Sequence, residues 1–281
     1  VRTPCTQTKM TIEDCPKVNS NARGKHASEH DKKVIAEQAK FRANVGALLF
    51  LCRCTMPMIS FAVGRLGRFS SNSGESHWKE MKHLIRFIKS FRHMGIRYSR
   101  PDPGEPGYIS SLVPKAILAS YNSQKVPHFR CYTDSDFAGC PDSSRSTSGN
   151  VVVWMGAAIS WASQLQACVT LSTAEAEMVA LSKAAQEVIW LRRFVSELLG
   201  GEFTVPSTID VDNNATLDLV DNRTHHSRTK HINLRRNFVR ERKASGELDP
   251  RWIDTKSNLA DGFTKAVTQA TNDSHCFGIT G

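Results

Sequence analysis

The residues best suited to chemistry in this chain are four acids that lie far apart in its second half: Asp134, Glu177, Asp212 and Asp261. Each is set among apolar residues rather than within a run of solvated charges. Carboxylates gathered from distant segments repel one another unless a cation joins them. Two hard divalent cations held by such carboxylates form the kind of centre that hydrolyses phosphodiesters. The four acids therefore predict a metal-dependent hydrolytic site.

A long predicted helix over 173–199 carries two glutamates, and helix geometry separates them. Steps of four and three residues from Glu177 meet only apolar residues, namely Leu181, Ala184, Val188, Leu191, Val195 and Leu198. The same steps from Glu175 meet a mixed set. Residues two apart lie about 200° apart around a helix, so Glu177 is predicted to face the sheet and to need a partner or a metal. The alternative is a glutamate that points outward at the helix start, where the helix dipole favours it.

The aspartates are each open to a second interpretation. Asp212 closes an alternating strand and precedes a short helix, so it can be a ligand at a strand end or the cap of that helix. Asp261 has the same two interpretations near the start of the last predicted helix, 259–265. Asp134 and Asp136 fall on one face of the same strand, so periodicity does not choose between them.

Composition and charge limit the class of protein. The 281 residues carry a net charge of +10, with 21 Lys/Arg and 9 Asp/Glu in residues 1–128 but 16 and 18 in residues 129–281. A basic half suggests a surface that meets a polyanion, although solvated surface charge is the alternative. No apolar run is long enough to span a bilayer. The chain begins at Val1 without an initiator Met, and we expect it to be a piece of a longer polypeptide.

The cysteines indicate a reducing compartment. The eight cysteines form no C-x-x-C pair and no disulfide framework, and most have apolar neighbours. We therefore expect reduced core cysteines in an intracellular protein, located in the cytoplasm or alternatively in the nucleus.

Apolar periodicity predicts two structured regions. Helical spacing dominates the first region. The predicted order of elements in the second region is β-β-β-α-β-α-α-β-α, which is typical of an α/β fold with a mixed sheet. The predicted boundaries are a polar tail at 1–30, a helical segment at 31–100, a linker at 101–127, an α/β domain at 128–267 and a tail at 268–281.

Seven segments in order resemble the ribonuclease H domain of copia-type LTR-retrotransposon Pol polyproteins: YTDSDFAG, RSTSG, ISWASQLQ, STAEAEMVAL, VDNNATL, RTKHI and LADGFTK. Upstream, the stretch from GALLFLCRC to HLIRFIK resembles the connection between reverse transcriptase and that domain. The resemblance implies a ribonuclease H-like mixed five-stranded sheet flanked by helices, preceded by a mainly helical connection segment.

The resemblance also implies chemistry. Asp134, Glu177, Asp212 and Asp261 match the family's acidic quartet, which binds two Mg²⁺ ions or Mn²⁺ in their place; this match, not periodicity, favours Asp134 over Asp136. The implied activity is hydrolysis of the RNA strand of RNA–DNA hybrids during reverse transcription. The implied partners are the hybrid and the rest of the reverse transcriptase polypeptide, with no membrane.

Three departures from the family pattern are visible. The polymerase motif Tyr-x-Asp-Asp is absent, so we expect no polymerase activity in this chain. Thr55-Met56-Pro57-Met58 stands where the family usually has T-R-P-D, and Asn237 stands where a His is frequent. Neither of these two substitutions falls on the acidic quartet.

A basic stretch from Arg223 to Lys243 holds eight Lys/Arg and one Glu, which favours contact with phosphates, although a solvated helix is the alternative. The candidate nucleic-acid-binding residues are Arg228, Lys230, His231, Arg235 and Arg236. The histidines of this stretch lack the spacing of zinc ligands on a helix.

Two rival functions belong to other classes. A non-catalytic nucleic-acid-binding remnant of a retrotransposon Pol is one, and the intact set of acids argues against it. A DNA-strand transferase on the same fold is the other. That chemistry usually relies on a glutamate in a late helix, whereas the late acid here is Asp261.

Overall fold

The structure is a computed structural model that describes residues 2–16, 29–98, 129–199, 203, 205–221 and 230–280. The predicted linker at 101–127 lies outside the described residues.

The first region is helical, as predicted. It consists of α1 (Glu29–Cys54), a 3₁₀ helix (Pro57–Ile59), α2 (Ser60–Gly67) and α3 (Glu75–Ser90). In α1 the apolar residues spaced by four and three form the buried face, which comprises Phe41, Val45, Leu48 and Cys52. Proline at the first position of the 3₁₀ helix is compatible with a new helical turn, since that position needs no backbone N–H.

The N-terminal residues differ from the predicted polar tail. Within residues 2–16, Cys5 and Met10 are buried in the core of the helical region. Thr6 donates from its backbone N and its Oγ1 to the carboxylate of Glu80 on α3, at 2.8 and 2.6 Å. Polar composition failed as a guide because this short segment is held by buried apolar side chains and by long-range hydrogen bonds, including those from Arg65 to the carbonyls of Thr6 and Thr8.

The second region contains the five-stranded mixed sheet that was predicted. Its strands are β1 (Arg130–Asp136), β2 (Thr147–Trp154), β3 (Ala157–Leu165), β4 (Ser207–Val211) and β5 (Leu248–Trp252). Their order is β3-β2-β1-β4-β5. Strand β2 is antiparallel to β1 and β3, whereas β4 is parallel to β1 and β5. The carboxyl ends of β1 and β4 therefore meet at one edge of the sheet.

Helices flank this sheet. They are α4 (Thr173–Leu199), α5 (Asn214–Asp221), α6 (Lys230–Ala244) and α7 (Gln269–Thr280). The apolar stripe of α4 is buried against the sheet from Leu181 to Val195, whereas Leu198 at its end is 67% exposed. A second apolar cluster, which includes Tyr132, Val151 and Phe263, joins the sheet to the C-terminal segment.

The C-terminal segment differs from the prediction in two ways. The expected helix at 259–265 is a 3₁₀ helix, Leu259–Phe263. The residues expected to form a tail contain α7, whose Cys276 and Ile279 are buried. This helix is weakly amphipathic in sequence, and it packs against the 3₁₀ helix and β3.

The helical region and the sheet region contact each other directly. Trp161 on β3 donates from Nε1 to the carbonyl of Cys52 at 2.9 Å. Tyr98 donates to the carbonyl of Ala158 at 2.9 Å, and the backbone N of Arg97 donates to the carbonyl of Thr280 at 2.7 Å. The helical region thus packs beside β3 and α7.

All eight cysteines are free, and Cys54 and Cys168 are exposed. Within the described parts of the chain, no helix combines the length and the apolarity needed to cross a bilayer.

Candidate metal centre

Two of the four predicted acids are placed by adjacent parallel strands. Thr133 on β1 pairs with Val211 on β4, so Asp134 and Asp212 follow at matching positions at the carboxyl edge of the sheet. Asp134 is 3% exposed, and Asp212 is partly exposed. Parallel pairing therefore brings two carboxylates side by side from segments far apart in sequence.

Glu177 reaches the same edge from the first turns of α4. Its Oε1 accepts hydrogen bonds from the backbone N and the Oγ of Ser135, both at 2.9 Å. Its Oε2 is buried and has no hydrogen-bond partner among the described residues. A buried carboxylate oxygen without a donor is costly, and a cation would satisfy it.

The carboxylates of Asp134, Glu177 and Asp212 form a cluster. One oxygen of each lies within 4.8 Å of the others. This is close enough for shared coordination of hard cations, which prefer carboxylate oxygens. The donor set and the unpartnered Oε2 of Glu177 both fit a divalent cation such as Mg²⁺ or Mn²⁺.

Burial and mutual repulsion disfavour the charged forms of these acids. Desolvation, followed by the charge of Asp134, raises the pKa of Glu177 to about 9. Desolvation also raises the pKa of Asp134, which Lys265 opposes and Asp261 reinforces. Burial and the neighbouring Asp134 raise the pKa of Asp212. Without a cation, burial and mutual repulsion therefore disfavour full ionisation of the cluster.

The fourth acid, Asp261, lies on the 3₁₀ helix Leu259–Phe263 and is 7% exposed. Its Oδ1 is 3.1 Å from Nζ of Lys265, which also lies 3.9 Å from Oδ2 of Asp134. Burial raises the pKa of Asp261, and Lys265 opposes this shift. Asp261 is therefore next to the three-acid cluster but is paired with a lysine.

The structure places the second acid of each neighbouring pair, Asp136 and Glu175, outside the three-acid cluster. Asp136 is only partly buried and packs against Gly139, outside the cluster that contains Asp134. Glu175 is also outside the cluster, and its Oε2 accepts a hydrogen bond from the backbone N of Leu171 at 2.9 Å. Glu175 thus stabilises the start of α4 rather than facing freely into solvent.

Two residues that sequence reasoning missed hold the centre together. Asn258 is fully buried, donates to the carbonyl of Thr133 at 3.0 Å, and accepts from the backbone N of Ala260 at 3.1 Å. It therefore caps the 3₁₀ helix of Asp261 and ties it to β1. Thr264 donates its hydroxyl to Oδ2 of Asp134. The only sequence signal was an Asn placed as a helix cap three residues before Asp261.

The 3₁₀ helix also needs a glycine opposite Asp134. Gly149 on β2 pairs with Asp134 across the ladder. A Cβ at this position would lie 2.7 Å from Phe263 Cβ and 2.7 Å from Thr264 Cγ2. The absence of a side chain at Gly149 therefore permits the close approach of the segment that carries Asp261.

The predicted nucleic-acid-binding residues divide into three groups. Arg228 lies outside the described residues, as do the side chains of Lys230 and His231 at the start of α6. Arg235 is partly buried and donates to Oγ of Ser182 on α4 at 2.9 Å. Arg236 is 3% exposed, so its side chain lies in the interior, where it does not present a surface to phosphates.

Two polyproteins from plant transposons are similar to this chain. The retrovirus-related Pol polyprotein from transposon TNT 1-94 of Nicotiana tabacum is 35% identical over 227 residues, covering 81% of this chain and 15% of that protein. The retrovirus-related Pol polyprotein from transposon RE2 of Arabidopsis thaliana is 30% identical over 240 residues, covering 85% and 15% respectively. The chain thus spans about 15% of the length of these curated relatives.

Comparison with family models and with solved structures gives weaker results. No family model matches the chain. Among solved structures, LC11-RNase H1 in complex with an RNA/DNA hybrid aligns with 48% of this chain and 93% of that chain, at 14% identity and a TM-score of 0.37. A TM-score this low supports no conclusion, so the fold rests on the strand order and register described above.

The two plant polyproteins match the chain across both of its regions, from the helices to the acidic cluster. The homologues of this chain, at 30–35% identity over most of its length, are copia-type Pol polyproteins of transposons.

Proposed function

We propose that this chain carries a ribonuclease H-type nuclease of a retrotransposon, which uses divalent cations to hydrolyse the RNA strand of RNA–DNA hybrids. The observation that carries the proposal is the meeting within 4.8 Å of Asp134 on β1, Glu177 on α4 and Asp212 directly after β4. The relatives are retrovirus-related Pol polyproteins from transposons, which supports a retrotransposon origin and, under this proposal, a role in reverse transcription. The hybrid substrate follows from the resemblance of the seven ordered segments to ribonuclease H domains.

Each acid has a defined role in this proposal. Asp134, Glu177 and Asp212 would hold the cations, and Asp261 would complete the set. When bound, such cations would lower the pKa of a water molecule and stabilise the departing oxygen. Mg²⁺ is the proposed ion and Mn²⁺ a substitute, since both prefer oxygen ligands.

The surrounding residues position these ligands. Ser135 fixes Oε1 of Glu177 and leaves Oε2 buried without a donor among the described residues. Thr264 fixes one oxygen of Asp134, and Asn258 holds the segment of Asp261 against β1. The ligands are therefore held on a strand, a helix and a capped turn, which limits their movement when a cation binds.

The substrate would need contacts beyond the acids. Arg235, which lies across from Ser182 on α4, is the described basic residue that we propose for a phosphate contact. The remainder of the Pol polypeptide is the proposed protein partner, since the chain spans about 15% of its relatives. We propose an intracellular site of action, in the cytoplasm or the nucleus.

A hybrid-cleavage assay tests the proposal directly. A labelled RNA–DNA hybrid is incubated with the chain and Mg²⁺, in parallel with an EDTA control and with Asp134→Asn. We expect RNA-strand cleavage that requires Mg²⁺ and is abolished by Asp134→Asn. Binding of the hybrid without any cleavage would instead support the rival function, a non-catalytic remnant.

A further inference from the structure

The acidic centre already contains a positive charge of its own. Nζ of Lys265 lies 3.1 Å from Oδ1 of Asp261 and 3.9 Å from Oδ2 of Asp134. The three acids whose oxygens converge within 4.8 Å do not include Asp261. Lys265 thus pairs most closely with the fourth acid and more distantly with one member of the three-acid cluster.

Lys265 is suited to a temporary role. It follows Asp261 by four residues, and its side chain is 41% exposed, so the ammonium group can move into solvent without disturbing the core. The stem of lysine is flexible, and its charge is compact and readily hydrated. Thr264, by contrast, holds Asp134 through a buried hydroxyl and does not need to move with its neighbour.

A positive charge is useful at this centre because of the repulsion between its carboxylates. Several carboxylates in a buried cluster repel one another when no cation is present. An ammonium group at ion-pair distance from two of them offsets part of that repulsion. The same positive charge would oppose a divalent cation that approaches these oxygens.

We propose that the ammonium group of Lys265 acts as an internal counter-ion, which pairs with Asp261 in the absence of a divalent cation and is displaced when the cation binds. Lys265 is then a positioning residue that sets the cation affinity of the centre. Recruitment of Asp261 as a ligand requires its ion pair with Lys265 to break. This inference rests on the proposed function, because it assumes that the acids bind divalent cations.

Calorimetric titration of Mn²⁺ into the chain without nucleic acid tests the proposal. Lys265→Met removes the charge at similar length, Lys265→Arg keeps it, and Lys256→Met removes a charge from an exposed lysine nearby in sequence. We expect Lys265→Met to bind Mn²⁺ at least about tenfold more tightly, whereas the other two variants stay close to the wild type. Unchanged or weaker binding by Lys265→Met would overturn the proposal.

The Glu177→Gln variant distinguishes failure of the counter-ion role from failure of the proposed function. If Glu177→Gln does not weaken Mn²⁺ binding, the cation does not bind at the acids and the proposed function is wrong. If it does weaken binding but Lys265→Met has no effect, only the counter-ion role is wrong.

A second measurement uses the wild-type chain and so does not depend on the folding of a variant. Lysine acetylation by a soluble reagent is followed by mass spectrometry with and without Mg²⁺. Displacement of the ammonium group from Asp261 should accelerate acetylation of Lys265, while the rate at Lys256 stays constant. An equal or slower rate at Lys265 in Mg²⁺ would contradict displacement.

Discussion

Two buried glutamates, one in each region, have opposite surroundings. Glu80 on α3 of the helical region accepts two hydrogen bonds from Thr6 and lies 3.9 Å from a guanidinium nitrogen of Arg65. Glu177 on α4 of the sheet region has one oxygen held by Ser135 and the other without a donor among the described residues. Both side chains are 5% exposed.

The difference shows that burial of a carboxylate does not by itself indicate function. Glu80 is a structural link whose partners neutralise and satisfy it, and it ties the N-terminal residues to α3. Glu177 is surrounded by other acids, so its charged form is favoured there only when a cation is added. The number and charge of the partners, rather than exposure, separate the two roles.

The largest effect is expected at Glu177. Glu177→Gln keeps the shape but removes a cation ligand, so cleavage of the hybrid should fall by orders of magnitude. In EDTA its melting temperature should hold or rise, because repulsion within the cluster is relieved. Wild-type cleavage by this variant would remove the distinction between the two glutamates.

Glu80→Gln should behave in the opposite way. Loss of the charged acceptor should lower the free energy of unfolding by about 1–3 kcal/mol, while the Mn²⁺ affinity and the cleavage rate per folded molecule are retained. Chemical denaturation, calorimetry and the hybrid-cleavage assay measure these three quantities on one protein preparation. A loss of Mn²⁺ binding without a loss of stability would reverse the assignment.

The pH dependence of stability should also differ between the wild type and Glu177→Gln. The pKa of Glu177 is raised from 4.5 to about 9, so the folded state holds a proton that the unfolded state releases. Its contribution to stability is full below about pH 4.5 and is lost as the pH rises toward 9. In EDTA, melting temperatures measured from pH 5 to 9 should fall less steeply for Glu177→Gln than for the wild type. Parallel curves would show that Glu177 does not hold this proton.

A smaller effect is expected for the proposed phosphate contact. Arg235→Ala should weaken hybrid binding and reduce the slope of log K against log salt by about 0.9, the value for one lost phosphate contact. Arg193→Ala, which removes an exposed arginine from α4, is the matched control. Equal slopes for both variants would mean that Arg235 only joins α6 to α4.

The smallest effect is expected at Glu175, two residues from Glu177. Glutamine can still accept the hydrogen bond from the backbone N of Leu171, so Glu175→Gln should change the stability by no more than about 0.5 kcal/mol and leave cleavage intact. Cleavage and denaturation assays beside Glu177→Gln provide the comparison. A large loss of cleavage in Glu175→Gln would mean that Glu175, rather than Glu177, is the ligand on α4.

Local patterns account for what the sequence could predict. Apolar and polar residues alternate along β1 and β4, and this local pattern predicts the strands. The apolar stripe of α4 is also a local pattern, and it predicts the orientation of Glu177. The bond from Thr264 to Asp134 and the bond from Asn258 to Thr133 join residues far apart in sequence, and no local pattern predicts them. Helix α7 was missed for the same reason, since packing against Leu259 and β3 stabilises it.

The clamp that Asn258 and Thr264 form on β1 has a consequence for synthesis on the ribosome. Translation delivers Asp134, Glu177 and Asp212 first, and the residues that cap and fix the centre emerge only later. A nascent chain can therefore assemble much of its sheet while the carboxylates still lack the clamp. Under the proposed function, hydrolytic competence would arise only near the end of translation of this segment.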